Sequence, residues 1–179
     1  MAHFCKGFPI YLLGWFSLTP LLWLNVLTYH NDNARTGANL NERLLTPANV
    51  NSNTFGKLFK YDVDGFVYAQ PLYVSGVDIP GQGARNVVFI ATQHNSVHAF
   101  DADKGPGNGL RWQINLGTAA VTPTVEFGSR YGPYTDITNE VGITGAPVID
   151  LPSGTLYVAV FARLCATLHS LSGRATNLT

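Results

Sequence analysis

The segment 101-DADKGPGNG-109 has the composition of a binding loop, with acidic residues and glycines between two apolar runs. A calcium loop of the EF-hand type needs an oxygen ligand at its fifth position and Gly at its sixth, whereas Gly105 and Pro106 stand there. A phosphate loop needs Gly-Lys followed by Ser or Thr, which this segment lacks. We therefore interpret Asp101 as a turn residue that accepts hydrogen bonds from nearby backbone amides. Gly105 is expected to supply a positive φ.

Three carboxylates between residues 118 and 144 are the other candidates for chemistry: Glu126, Asp136 and Glu140. Two carboxylates of one loop could bind calcium or act as a general base. The alternative, which we favour, is that all three are solvated loop residues.

The remaining nucleophiles and metal ligands occur without a supporting pattern. His94 and His98 are four residues apart, which would suit zinc on a helix, but this stretch has the pattern of a strand and a turn. No serine lies in a G-x-S-x-G sequence, and Cys5 and Cys165 form no C-x-x-C pair. We predict no catalytic residue and no metal ligand.

The charge balance excludes one class of partner. The chain has 179 residues, enough for one domain, with 11 basic and 11 acidic residues and a formal net charge of zero. Only 12% of residues are charged, against a typical value of about 25%. No basic face is available to neutralise phosphates, so we predict no nucleic-acid partner.

Residues 1–29 differ from the rest of the chain. A basic start precedes about twenty residues without a charge, FPIYLLGWFSLTPLLWLNVL. This order is typical of an export signal, and the run is also long enough for a membrane anchor through residues 8–28. A leader that does neither is the third alternative. We expect an exported protein, periplasmic or extracellular, with membrane anchoring as the alternative to cleavage.

Short strands with tight turns dominate from residue 56 onward, after a polar, Asn-rich segment at 30–55. Alternating or continuous apolar runs predict an antiparallel meander. A long connection follows at 118–144, and further strands come after it. The predicted strands are 57–63, 66–74, 86–92, 96–100, 110–116, 145–150 and 155–162, and VDIPGQGAR is predicted to be a loop.

The second group of strands repeats the first. Pro71 corresponds to Pro147, residues 87–91 (VVFIA) align with 156–160 (LYVAV), and VHAF at 97–100 aligns with LHSL at 168–171. A unit of four short strands in tandem is typical of a β-propeller blade.

The sequence resembles the quinoprotein-like propellers with pyrroloquinoline-quinone-type repeats, in particular exported bacterial members. The resemblance covers about residues 26–160 and rests on the family's order A-x-D-x-x-x-G followed by W. The segment TYHNDNARTGANLNE and the Y-x-Q-P at Tyr68, Gln70 and Pro71 add to it. The repeat motif is carried by Ala99, Asp101, Gly105 and Trp112, with the Trp three residues later than usual.

The resemblance implies that Trp112 packs against a neighbouring blade. Dehydrogenases of the family hold pyrroloquinoline quinone on the propeller axis, usually with calcium, whereas its scaffold members have no such site. No cofactor-binding residue of the family can be matched here. We therefore expect no cofactor, with the quinone and calcium only under a dehydrogenase alternative.

The predicted architecture is all-β: a partial β-propeller of about one and a half four-stranded antiparallel blades behind an apolar leader. The divisions are 1–29 (leader), 30–55 (polar segment), 56–117 (first blade), 118–144 (connection) and 145–179 (partial second blade). The second copy has Ser172 where the motif has Asp, and a closed propeller needs about 4–8 blades. The chain is therefore expected to be a truncated part of a larger propeller.

The predicted function is binding or scaffolding, with a protein or carbohydrate partner. Self-association through open sheet edges is also expected. The alternatives are a part of a quinone-dependent sugar or alcohol dehydrogenase and a non-functional truncated gene product.

Overall fold

The computed structural model describes residues 24–40, 42–121, 136–137, 139–164 and 167–176, and all of its regular elements are β-strands. The all-β prediction is confirmed for this part of the chain. With only strands among the described residues, none of them forms a helix that could cross a membrane. The strands are β1 (Asn25–Val26), β2 (Leu72–Ile79), β3 (Gly83–Ala91), β4 (Ser96–Asp101), β5 (Leu110–Asn115), β6 (Ala120–Val121), β7 (Glu140–Val141), β8 (Val148–Asp150), β9 (Thr155–Leu164) and β10 (Thr167–Thr176).

The strands form three antiparallel sheets. The first sheet has the order β1-β2-β3-β4-β5, so that β2 to β5 are the predicted meander. The second sheet has the order β10-β9-β8, and a two-stranded sheet pairs β6 with β7. The core lies between the first two sheets, since buried residues of both form one apolar cluster: Leu72, Val74, Val87, Phe89, Val97, Ala99, Ile149, Leu156, Val158 and Val160 are among its members.

Residues 57–71, predicted as strand in two pieces, pair with no strand. β2 begins directly after Pro71, because proline has no N–H to donate to a ladder. The period-2 alternation of 57–63 has another cause: Phe59, Tyr61 and Val63 are half-buried and line a pocket on the first sheet.

The segment predicted as a loop, VDIPGQGAR, is instead the hairpin of β2 and β3. Its tip is closed by the backbone N–H of Gln82, which donates to the carbonyl of Ile79 at 2.9 Å. Gly81 and Gly83 flank that residue with φ of 75° and 70°. Glycine adopts these angles without a steric penalty, so a chain with proline and two glycines can still reverse tightly.

The end of the predicted leader belongs to the first sheet. Asn25 and Val26 pair with Val74 and Tyr73 as β1, and Val26 and Leu27 pack against the core. The apolar character of these residues therefore serves the fold. The amide of Ile149 in β8 donates to the carbonyl of Leu27 at 2.8 Å, so this segment contacts both sheets.

The predicted repeat appears as the same strand order, but in a different register. Pro71 and Pro147 each precede the first strand of a unit. Leu72 then pairs with Phe89, and Val148 pairs with Tyr157. Phe89 therefore corresponds to Tyr157, one residue away from the alignment of 87–91 with 156–160.

β4 and β10 are each the third strand of their unit. Their residues do not correspond in the way that the alignment of 97–100 with 168–171 predicted. Residues 97–99 pair with 89–91, whereas residues 168–171 pair with 160–163, at the far end of β9. The reason is the connection: a four-residue turn joins β3 to β4, while only residues 165 and 166 separate β9 from β10.

The corrected register shows that the two units bury opposite faces. Phe89 and Ala91 are 1% and 2% exposed in the core, but their counterparts Tyr157 and Ala159 are exposed. Leu156 is 1% exposed, although its counterpart Val88 points away from the core. One face of the first unit thus packs on the opposite face of the second, which is head-to-tail packing of repeats.

Candidate functional site

Asp101 organises the loop between β4 and β5, as predicted. The buried carboxylate accepts a hydrogen bond from the amide of Asp103 at 3.0 Å. The amide of Asp101 donates to the carbonyl of Gly109 at 2.7 Å, which closes the loop at its base. Asn86 on β3 donates from Nδ2 to Asp103 Oδ2 at 2.9 Å. The acidic groups of this loop are engaged in its own structure.

A bulge in β5 brings a cation to Asp101. Ala99 pairs with Trp112 and Phe100 pairs with Leu110, so that Arg111 is the extra residue. A bulge redirects a side chain, and the Nη2 atom of Arg111 lies 3.6 Å from Asp101 Oδ2 with both side chains buried. The bulge therefore compensates a buried negative charge.

Trp112 contacts a ring of its own sheet and the shared core, while its packing against a neighbouring blade stays a prediction. Its ring lies 5.9 Å from that of Phe89, and it packs against the core that the two sheets share. Ala99 lies directly opposite on β4, so the small residue of the motif leaves room for the indole.

The positive φ expected at Gly105 occurs instead at Gly107, whose φ is 105°. Gly105 precedes Pro106, and proline pushes the residue before it toward extended backbone. The loop is held from outside by Tyr61, whose hydroxyl donates to the carbonyl of Lys104 and covers Gly109. The segment 101–109 is therefore a structural turn.

Asp64, which the sequence did not single out, contacts side chains from three neighbouring parts of the first sheet. It accepts hydrogen bonds from Thr92 Oγ1 at 2.9 Å, from Gln113 Nε2 at 3.1 Å and from the Ser96 hydroxyl. The Nε2 atom of His98 lies 3.2 Å from it. This carboxylate ties the covering segment 57–67 to the end of β3, to β4 and to β5.

The hydrogen bonds decide the protonation of Asp64. Its partial burial alone would raise the pKa of the carboxyl. The donors Ser96, His98 and Thr92 outweigh that effect and lower the pKa of Asp64 below its usual 3.8. The group is therefore ionised at neutral pH, with its lone pairs occupied by side chains of the protein.

Glu140 is the candidate carboxylate that the structure engages. Nδ1 of His94 lies 2.9 Å from Glu140 Oε1. The hydrogen bond that His94 donates to Glu140 raises the pKa of His94 above 6.5, against a smaller opposite effect of burial. This pair joins β7 to the turn between β3 and β4.

Of the other two candidate carboxylates, only Asp136 lies among the residues that the structure describes. Asp136 is exposed, and Glu126 lies outside the described residues. Among the residues that the structure describes, no three His, Cys, Asp or Glu side chains converge to hold a metal ion.

A pocket of about 330 Å³ opens on the face of the first sheet that points away from the core. Its lining is mainly apolar, and it falls at the lower end of the range of ligand pockets, about 300–1,000 Å³. The rings of Tyr61 and Phe100 stack at 4.2 Å, and that of Phe59 meets Tyr61 edge-on at 5.6 Å. The apolar lining consists of Phe59, Tyr61, Val63, Val67, Val88, Ile90, Phe100 and Ala102, with Lys60 and Asp101 as the charged residues.

The opposite end of the molecule presents a second apolar surface, which we call the free face: Val148, Tyr157 and Ala159. Val148 and Tyr157 are cross-strand neighbours, and each is 45% exposed. The corresponding cross-strand pair of the first unit is Leu72 and Phe89, and both of these residues are buried in the core.

Sequence reasoning missed both surfaces because each needs the strand register. The alternation of Phe59, Tyr61 and Val63 was visible but was assigned to a paired strand. Ser96, His98 and Phe100 are every second residue of β4, and this spacing indicates that their side chains share one face of the strand.

The comparisons with known proteins add no relative. No protein-family model matches the chain, and neither a curated protein nor a solved structure matches it significantly.

Proposed function

We propose that this chain is an exported module of quinoprotein-like propeller repeats that acts by binding or scaffolding. The observation that carries the proposal is the packing of two similar units through opposite faces. Repeats that stack in this way leave one face free at each end, and free apolar faces are contact surfaces.

We place the partner site at the aromatic pocket of the first sheet and assign it to a protein partner. Its lining is apolar apart from Lys60 and Asp101, and Asp101 is already paired with Arg111. A carbohydrate would need several polar groups for its hydroxyls, whereas a protein would fill the pocket with an apolar side chain.

The contacts of three carboxylates support a role without catalysis. Asp64 accepts hydrogen bonds from several side chains, Asp101 closes its own loop, and Glu140 is bonded to His94. Each of these carboxylates has a structural task that explains its position. No feature of the described residues specifically favours the dehydrogenase alternative.

The experiment for this proposal is an assay of dye reduction with sugars and alcohols, after addition of pyrroloquinoline quinone and calcium. We expect no reduction and no shift of the melting temperature. Reduction that is lost in Glu140→Gln but kept in Asp136→Asn would replace the proposal with the dehydrogenase alternative.

Export is the part of the proposal that rests on the uncharged run within residues 1–29. Fusing 1–29 to a phosphatase that folds only outside the cytoplasm tests it. We expect activity, in the soluble fraction if the leader is cleaved and in the membrane fraction if residues 8–28 anchor the protein. An inactive fusion of full length would contradict export.

A further inference from the structure

We infer that the free face of one chain docks on the pocket of a second copy, head to tail, with Tyr157 entering the pocket. This inference rests on the proposed function, because it names the partner at the same site.

The interface inside the chain provides the template. There, the face of the first sheet with Phe89 packs on the face of the second sheet with Leu156 and Val158. By the register of the strands, Tyr157 is the counterpart of Phe89. Val88 and Ile90 are the counterparts of Leu156 and Val158.

Repeating the internal packing once more brings Tyr157 of one copy to Val88 and Ile90 of the next. Both of these residues line the pocket, and its free volume of about 330 Å³ lies beside them. The large side chain and the cavity therefore occur at matching positions of the two opposite faces. The contact continues an interface that the molecule already contains.

The surfaces of two copies are compatible in charge and composition. The chain has a formal net charge of zero, so copies do not repel each other. The apolar side chains of the free face lie on the same side of the sheet as Asp150, and the pocket is mainly apolar with Lys60 in its lining. Burial of the apolar side chains therefore gains hydrophobic free energy.

Head-to-tail contact has a consequence that edge pairing lacks. The two surfaces of the interface are different, so each bound copy still presents one free surface. Such interfaces form rings or open chains rather than stopping at a dimer. The rival route, predicted from the sequence, is pairing at an open edge such as β5, where Leu110 and Ile114 are 51% and 43% exposed.

The test is light scattering coupled to size-exclusion chromatography over a hundredfold range of concentration. Tyr157→Asp blocks the free face, and Val67→Asp places a charge at a 43% exposed position of the pocket. Leu151→Asp in the β8–β9 turn is the control on the same sheet outside the free face. Ile114→Lys is the control for the edge. Circular dichroism checks that every variant is folded.

We expect the wild type, Leu151→Asp and Ile114→Lys to exceed the mass of a dimer as concentration rises. Tyr157→Asp and Val67→Asp should each stay monomeric. An equimolar mixture of these two variants should form dimers and nothing larger, because it contains one intact pocket and one intact free face per pair.

A wild type that stays monomeric at all concentrations overturns the inference. So does a mixture that stays monomeric while the wild type assembles, or assembly that is lost in Ile114→Lys. None of these outcomes bears on catalysis, and the quinone assay tests the proposed function separately.

Discussion

At the scale of single residues, Asp64 connects the covering segment to three neighbouring parts of the first sheet. Its partners Thr92, Ser96 and His98 are almost completely buried. Buried donors that lose their acceptor incur the full cost of desolvation. The carboxylate therefore holds the wall of the pocket in place.

Replacing Asp64 with Asn should destabilise the fold by about 1–3 kcal/mol, because an amide group then faces buried donors. Urea unfolding measures the change. Asp62→Asn is the matched control, since its side chain is 90% exposed in the same segment, and we expect a change within about 0.5 kcal/mol. Equal effects of the two substitutions would show that Asp64 has no special role.

The pKa of His94 predicts a small dependence of stability on pH. Its folded pKa lies above 6.5, so its contribution is present below pH 6.5 and is lost as pH rises through the folded value. The side chain is 46% exposed, so we expect less than about 1 kcal/mol.

Melting temperatures between pH 6 and pH 8 test this contribution. The wild type should lose stability toward pH 8, while His94→Gln and Glu140→Gln should both have a flatter profile. A wild-type slope that persists in both variants would assign the dependence to another group.

At this scale, the sequence predicted contacts between residues that are close together along the chain. The role of Asp101 in its turn could be predicted, since its carboxylate accepts a hydrogen bond from the amide of Asp103, two residues away. Asp64 could not be found in this way, because its partners Thr92 and Gln113 are 28 and 49 residues away. Only the folded sheet brings these side chains together.

At the scale of elements, the turn between β3 and β4 is where the two sheets and β7 meet. Asn95 has a φ of 59° and donates from Nδ2 to the carbonyl of Phe161 on β9 at 3.0 Å. Gly142 follows β7 and lies against the same turn: a Cβ added to it would be 2.0 Å from the carbonyl oxygen of Gln93. The turn was predicted from QHNS, but its contacts were not.

Gly142→Ala should destabilise the protein by about 1–3 kcal/mol, because the added methyl group meets backbone that cannot move freely. Gly145→Ala is the matched control three residues later, where nothing lies within 4 Å of the added atom. We expect the free energy of unfolding of this control to stay within about 0.5 kcal/mol of the wild type. Thermal unfolding of both variants and the wild type measures the difference. If Gly142→Ala is equally harmless, β7 does not pack on this turn.

Strands were predicted correctly where the segment with an apolar pattern also pairs through its backbone, as in β3, β4 and β5. It was wrong for 57–71, because alternation reports which side chains are covered and not whether the backbone is paired. It was also wrong for the β2–β3 hairpin, where Gly81 and Gly83 permit a reversal inside an apparent loop.

At the scale of the molecule, the two similarly ordered groups of strands bury opposite faces. The sequence predicted the repeat from its prolines and apolar runs. It could not predict the faces, because a shift of one residue exchanges the two sides of a strand. The pairing of Leu72 with Phe89 and of Val148 with Tyr157 decides the matter.

The most direct test is thiol labelling at one pair of corresponding positions, in a background with Cys5 and Cys165 replaced by Ser. Ala91→Cys is the buried member, at a position 2% exposed, and Ala159→Cys is the exposed one. We predict that Cys at 91 is protected at every concentration, whereas Cys at 159 reacts freely in dilute solution and becomes protected as copies assemble. Rapid labelling of Cys at 91 in the folded protein, or protection of Cys at 159 in dilute solution, would contradict the account.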